Sequence, residues 1–303
     1  MAFERQKSWP HLGEAGNSHH SICLGRPSFE SVDTDWIAAA AVMDLVLEFA
    51  FKPQHAGIAL SPQRLIEVCV DSVQSAIDAV AGGADRLELC QAIQTGGLTP
   101  SVGLMVQARQ AVDVPIIALI RPRGAGFGYS GTERRVMMRD VESLLSLGAD
   151  GVAVGCLTAA GTLDLDWLGQ VCRTADQQQV VCHRAFDVVP DQGDALQQLI
   201  DIGVHRVLTS GRQATAWHGR TAIQQIQIAS AGKIEVLPGA GITPDNVVPL
   251  IRVTGCDQVH GTFRDSRHDQ AGPVDASDYP VTNRTLVAAV RAALDGLPSG
   301  GWL

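Results

Sequence analysis

Aromatic side chains are scarce in this chain, at 5% of 303 residues, with only two tyrosines. Aliphatic residues and 31 glycines stand in their place, which suits an α/β protein with many tight turns. Basic clusters are missing as well, and the net charge is −9. A nucleic-acid partner would require a basic face to neutralise phosphates, so that class is set aside. The acidic average still leaves room for a local basic pocket that takes a small anionic molecule. No apolar run reaches the roughly 20 residues of a membrane span. The nearest candidate, residues 36–51, is broken by Asp44 and Glu48 and starts too far from Met1 to be a secretion signal. Closely spaced CxxC pairs are also absent. Seven cysteines stand at 23, 69, 90, 156, 172, 182 and 256, an odd number without zinc-ribbon spacing. A disulfide scaffold is out of place in so large a chain, so reduced thiols in a cytoplasmic protein are expected.

Residues 1–63 hold His, Ser, Gly and Pro in irregular order and read as a poorly ordered N-terminal extension, with one helix at about 35–50. From residue 64 to 303 the pattern is regular. Short β-branched runs at 66–70, 86–90, 115–120, 151–155, 180–183, 206–209, 234–237 and 257–260 predict eight strands. Helical periods at 72–82, 101–112, 132–147, 164–176, 191–202, 217–231, 243–253 and 283–295 fill the gaps between them. Eight βα units in this length predict a TIM (β/α)8 barrel, with a doubly wound open sheet as the alternative. An internal repeat supports the barrel. Gly83-Ala84-Asp85-Arg86, Gly148-Ala149-Asp150-Gly151, Gly203-Val204-His205-Arg206 and Gly255-Cys256-Asp257-Gln258 each follow a helix and open an even-numbered strand.

Barrel enzymes carry their chemistry at the C-terminal strand ends. Strands one and two each finish in Glu-x-Cys, Glu67-Val68-Cys69 and Glu88-Leu89-Cys90. Residues two apart share a strand face, so neighbouring strands would bring two carboxylates and two thiols together. Cys69 and Cys90 read as small buried hydrophobes, as soft ligands for Cu(I), or as a redox pair. His183 ends strand five and, with Glu67 or Glu88 beside it, would serve as a general acid or base. Arg121 and Arg123 flank Pro122 and would clamp a carboxylate or phosphate, or pair with the glutamates. The turn Gly239-Ala240-Gly241 and the Thr209-Ser210 step would offer N–H and hydroxyl donors to an anion, or form plain turns.

Taken together, the segments IEVCVDS (66–72), GGADRLELC (82–90), GGLTPS (96–101), IRPRG (120–124), HRAFD (183–187), RVLTSG (206–211) and PGAGIT (238–243) resemble the CutC family, named for copper homeostasis. The resemblance spans about residues 65–265 and implies a TIM-barrel-like fold, a cytoplasmic protein, nuclear as well in animals, and a homo-oligomer. It also implies Cu(I) binding at the two cysteines that match Cys69 and Cys90. The chain departs from the family pattern at Ala125 and Gly126, where Gly and Asp are usual, and at Ala240, where Gly is usual. Two functions therefore stand side by side: a copper-homeostasis-like protein, and an enzyme acting on a small anionic metabolite. An oligomeric binding module or scaffold is the third.

Overall fold

The computed structural model describes residues 64–272 and 277–297, so the extension expected over 1–63 and its helix lie outside the described residues. The aliphatic runs form eight parallel strands: β1 (Leu65–Val70), β2 (Arg86–Leu89), β3 (Ile116–Leu119), β4 (Gly151–Val154), β5 (Gln179–Cys182), β6 (Arg206–Thr209), β7 (Glu235–Pro238) and β8 (Gln258–Gly261). Each is hydrogen-bonded to the next in sequence as far as β7, and β1 pairs in parallel with β8. Between β7 and β8 a single parallel bridge, Gly239 to His260, completes the ring. The sheet is thus a nearly closed TIM-type barrel, as the eight-fold pattern predicts.

Helices α1 (Val73–Ala81), α2 (Val102–Ala111), α3 (Gly131–Ser146), α4 (Leu165–Ala175), α5 (Gln192–Asp201), α6 (Arg220–Ser230), α7 (Pro244–Thr254) and α8 (Arg284–Asp295) follow the strands in turn. Most begin where a polar side chain accepts an otherwise unpaired first-turn N–H, as Ser72, Ser101 and Asp191 do. Ser130 and Thr243 form full capping boxes with Glu133 and Asn246. One element escapes the sequence pattern. β9 (Arg264–His268) and β10 (Asp278–Thr282) form an antiparallel hairpin between β8 and α8. The residues of β9 are exposed and polar, so no alternation of apolar side chains announces it.

The Gly-x-Asp/His repeat has a physical role at the strand bases. Gly83, Gly148, Gly203 and Gly255 hold φ between 72° and 98°, the left-handed turn that ends each preceding helix. The Asp85 and Asp150 carboxylates accept the N–H of Ile66 and Ile116 at 2.7 and 2.8 Å, and His205 Nδ1 accepts that of Val180 at 3.1 Å. Three of the four repeats thereby fix the start of the odd strand beside them. Alternation along the strands then separates two cores. Ile66, Val68, Leu87 and Leu89 face the helices, while Cys69, Ile117, Leu119, Ala153, Val181, Leu208 and Leu237 fill the barrel.

Candidate functional site

The interior has a base and a mouth, and they are built differently. At the base, charged side chains from the strand starts pair with one another, with Arg206 Nη1 alone among them left without a partner. Arg86 Nε donates to Glu67 Oε2 at 2.5 Å and its Nη2 to Gln258 Oε1 at 2.8 Å. Arg206 Nε donates to Glu235 Oε2 at 2.6 Å and its Nη2 to Gln179 Oε1 at 2.9 Å. Gln258 Nε2 donates to Glu235 at 3.1 Å, which ties β8 to β7 across the seam where the backbone ladder is sparse. Burial would push the Glu67 carboxyl up, but the Arg86 guanidinium and the His260 hydrogen bond hold it well below its usual range.

Above this floor, His260 joins the base to the mouth. Its Nδ1 donates to Glu67 Oε1 at 2.8 Å, and its Nε2 lies 3.8 Å from Glu88 Oε2. Burial disfavours the imidazolium, yet Glu88 and Glu67 together raise its pKa. Burial in turn raises the Glu88 carboxyl, against the pull of His260. Cys69 Sγ stands 3.6 Å from Cys90 Sγ, and both thiols are buried. The hydrogen bond to Cys90, then burial and the Glu88 charge, hold the Cys69 thiol well above its usual pKa. Ligand atoms of Cys69, Glu88 and His260 all lie within 4.8 Å of one another. Such a cluster of sulfur, nitrogen and oxygen donors suits a thiophilic or borderline metal ion, with Glu67 orienting the imidazole from behind.

A cavity of about 420 Å3 opens over this cluster, walled by Cys69, Glu88, Arg121, Phe127, His183 and His260 among others. A smaller one of about 210 Å3 adjoins it and shares Arg184, Leu208, His260 and Thr262. His183 directly follows β5, and its Nδ1 accepts the Ala185 N–H at 3.1 Å. The ring proton therefore sits on Nε2, which is buried without an acceptor. Burial and then the nearby Arg121 charge lower the His183 pKa to about 3, so the ring is neutral at physiological pH.

The structure brings Glu88, His183, Arg121, Cys69 and Cys90 together and places the other sequence-selected residues elsewhere. Glu67 lies beneath the cavity and reaches it only through His260. Arg123 turns outward to Glu133 at 2.6 Å and to the carbonyls of Gly124, Gly126 and Gly128, away from the cavity. The Thr209 hydroxyl and the Ser210 N–H are spent on the buried Asp187 carboxylate, and the Ser210 hydroxyl donates to the Gln213 carbonyl at 2.6 Å. Gly239 packs at the seam, where a Cβ would stand 2.6 Å from Leu208 Cδ1. Gly241, at φ 70°, lines the smaller cavity. Ala125 and Ala240, which replace family glycines, hold φ of 69° and 80°, the left-handed region that explains the glycine preference at both positions. His260 ends the eighth predicted strand, but neither it nor Arg86, Arg206 or Phe127 has a role that the sequence pattern alone assigns. The two arginines did leave a signal, since both close a repeat unit at the start of an even strand.

Fold and site define a (β/α)8 barrel whose mouth carries a paired-thiol, imidazole and carboxylate cluster beneath a cavity of metabolite size. The chain belongs to the CutC family, whose sequence model matches residues 64–265. A family protein CutC of Bacteroides fragilis is 38% identical over 246 residues, covering 78% of this chain and 98% of the relative. The human copper homeostasis protein cutC homolog is 41% identical over 203 residues, covering 67% of this chain and 74% of that protein. Among solved structures, the Streptococcus agalactiae CutC aligns with a TM-score of 0.63 at 29% identity, over 66% of this chain and 99% of that one.

Proposed function

We propose that this protein serves copper homeostasis by binding Cu(I) through the thiolates of Cys69 and Cys90. The observation that carries the reading is the 3.6 Å approach of the two sulfurs at the floor of the mouth. Soft, low-coordinate Cu(I) favours paired thiolates over oxygen donors. His260 stands ready as a third ligand, its Nδ1 already committed to Glu67 and its Nε2 turned to the cluster. Family membership and the name of the human relative point the same way. Binding displaces the thiol protons, so the site takes up metal with proton release. Anaerobic competition with a chromophoric Cu(I) chelator tests the reading. The wild-type protein is expected to hold one Cu(I), and the Cys69→Ser/Cys90→Ser variant to bind at least about 100-fold more weakly, the loss expected when soft ligands are replaced by hydroxyls. Equal affinity in both proteins overturns it.

A further inference from the structure

The cavity above the thiols is far larger than an ion needs, and its wall carries a cation without a counter-charge. Arg121 is 7% exposed. Its Nη1 donates to the carbonyls of Thr95 and Gly97 at 3.2 and 3.0 Å, and its Nη2 to that of Ala125 at 2.8 Å. These neutral acceptors fix the guanidinium but leave its charge unbalanced. Its Nε–H has no acceptor, the neutral Tyr129 hydroxyl lies beside the guanidinium, and among the described residues Arg121 forms no ion pair. The position is built for this side chain. Gly96 at φ 88° lets the loop pass, and a Cβ there would stand 3.0 Å from Arg121 Nη1.

The carboxylates of the same cavity are otherwise engaged. Asp187 is held by Arg184 at 2.8 Å and by Thr209 and Ser210, while Glu88 faces His260. A buried cation fixed by carbonyls and lacking a carboxylate is costly unless an anion completes it. His183 supplies the second unfilled donor. Its tautomer is set by the Ala185 N–H, so Nε2–H is a buried donor that no protein atom accepts. The ring is accommodated only because residue 155 is glycine, where a Cβ would come within 2.3 Å of His183 Cε1. Phe127 spans the two donors, with Arg121 Cζ 5.5 Å from its ring centroid and the His183 ring 4.9 Å away. Ile93, Leu119 and Leu208 complete an apolar wall.

We propose that this cavity binds a small organic carboxylate, its carboxyl group ion-paired with Arg121 and hydrogen-bonded to His183 Nε2–H, its apolar body against Phe127. One unpaired guanidinium and one neutral donor match a single carboxylate, whereas a phosphate dianion would call for more donors. The carboxylate's partners do not include the thiols, although Cys69 lines the same cavity, so binding is tested on metal-free protein and again on the Cys69→Ser/Cys90→Ser variant. The probes are a panel of aliphatic, aromatic and 2-oxo monocarboxylates, each paired with its neutral amide and, where one exists, the matching phosphate monoester. Thermal shift and titration calorimetry read binding. At least one carboxylate is expected to bind tenfold or more tightly than its amide and its phosphate counterpart, equally in the thiol variant. The binder is expected to move the His183 Nε2–H resonance in 15N-histidine spectra, a readout that needs no substitution. His183→Phe and Arg121→Met, each checked for a native melting transition, are expected to lose tenfold or more. The proposal is overturned if no carboxylate outdoes its amide, if phosphate monoesters bind better, if the His183 resonance is unmoved by the binder, or if folded Arg121→Met keeps wild-type affinity.

Discussion

The base and the mouth of one barrel use the same residue types to opposite ends. At the base, Arg86, Arg206, Glu67 and Glu235 are matched charge for charge, Gln258 and Gln179 take up further guanidinium donors, and only Arg206 Nη1 lacks a partner among these side chains. At the mouth, Arg121 has no carboxylate, His183 Nε2 has no acceptor, and the Cys69 and Cys90 thiols meet only each other and their acidic neighbour. Buried polar groups that satisfy one another specify a structure; buried polar groups left unsatisfied point to something that arrives later. The contrast is one of charge: the cations of the base have carboxylate partners, and Arg121 at the mouth has none.

The largest test strikes the base. Arg86→Met strands the buried Glu67 carboxylate and is expected to cost about 3–5 kcal/mol in urea unfolding. Adding Glu67→Leu removes the orphaned charge and is expected to recover most of that loss. If the single variant is as stable as wild type, the base is not the structural half. A smaller effect follows from His183. Unfolded, it takes up a proton near 6.5; folded, it resists until about 3. The unfolded state therefore binds more protons in that window, and stability falls as pH drops below 6.5. The wild-type protein is expected to lose about 2 kcal/mol more than His183→Phe between pH 7.5 and pH 5. Parallel pH profiles would show that His183 is not held neutral. The smallest effect belongs to a residue in neither half. Arg123→Ala breaks a half-exposed pair with Glu133 and should cost less than about 1 kcal/mol. It should leave Cu(I) and carboxylate binding untouched, and a tenfold loss of either would redraw the boundary of the mouth.

Much of the fold was legible because its signals are local. Gly-Ala-Asp turns, aliphatic runs and Ser, Thr or Asp caps each act within a few residues, and all eight strands fall within about a residue of their expected positions. The site was legible only where strand alternation continued. Glu88 and Cys90 point inward as their spacing requires, but β3 ends at Leu119, so Arg121 and Arg123 no longer share a face. Thr209 and Ser210 looked like free donors because nothing in sequence ties them to Asp187, which reaches them from the preceding strand–helix loop. His260 was legible as the polar end of strand eight, but its role was hidden for a physical reason. Its partner Glu67 lies 193 residues away, and only closure of the ring makes them neighbours.

That closure has a consequence of its own. Seven of the eight joints in this hoop are continuous ladders, and the eighth is a clasp, with the Gly239–His260 bridge above and the Gln258–Glu235 hydrogen bond below. Both halves of the clasp belong to β8, and the upper half is itself a member of the metal-ligand cluster. His260 therefore has two positions at once: its backbone closes the hoop, and its side chain stands in the wall of the mouth.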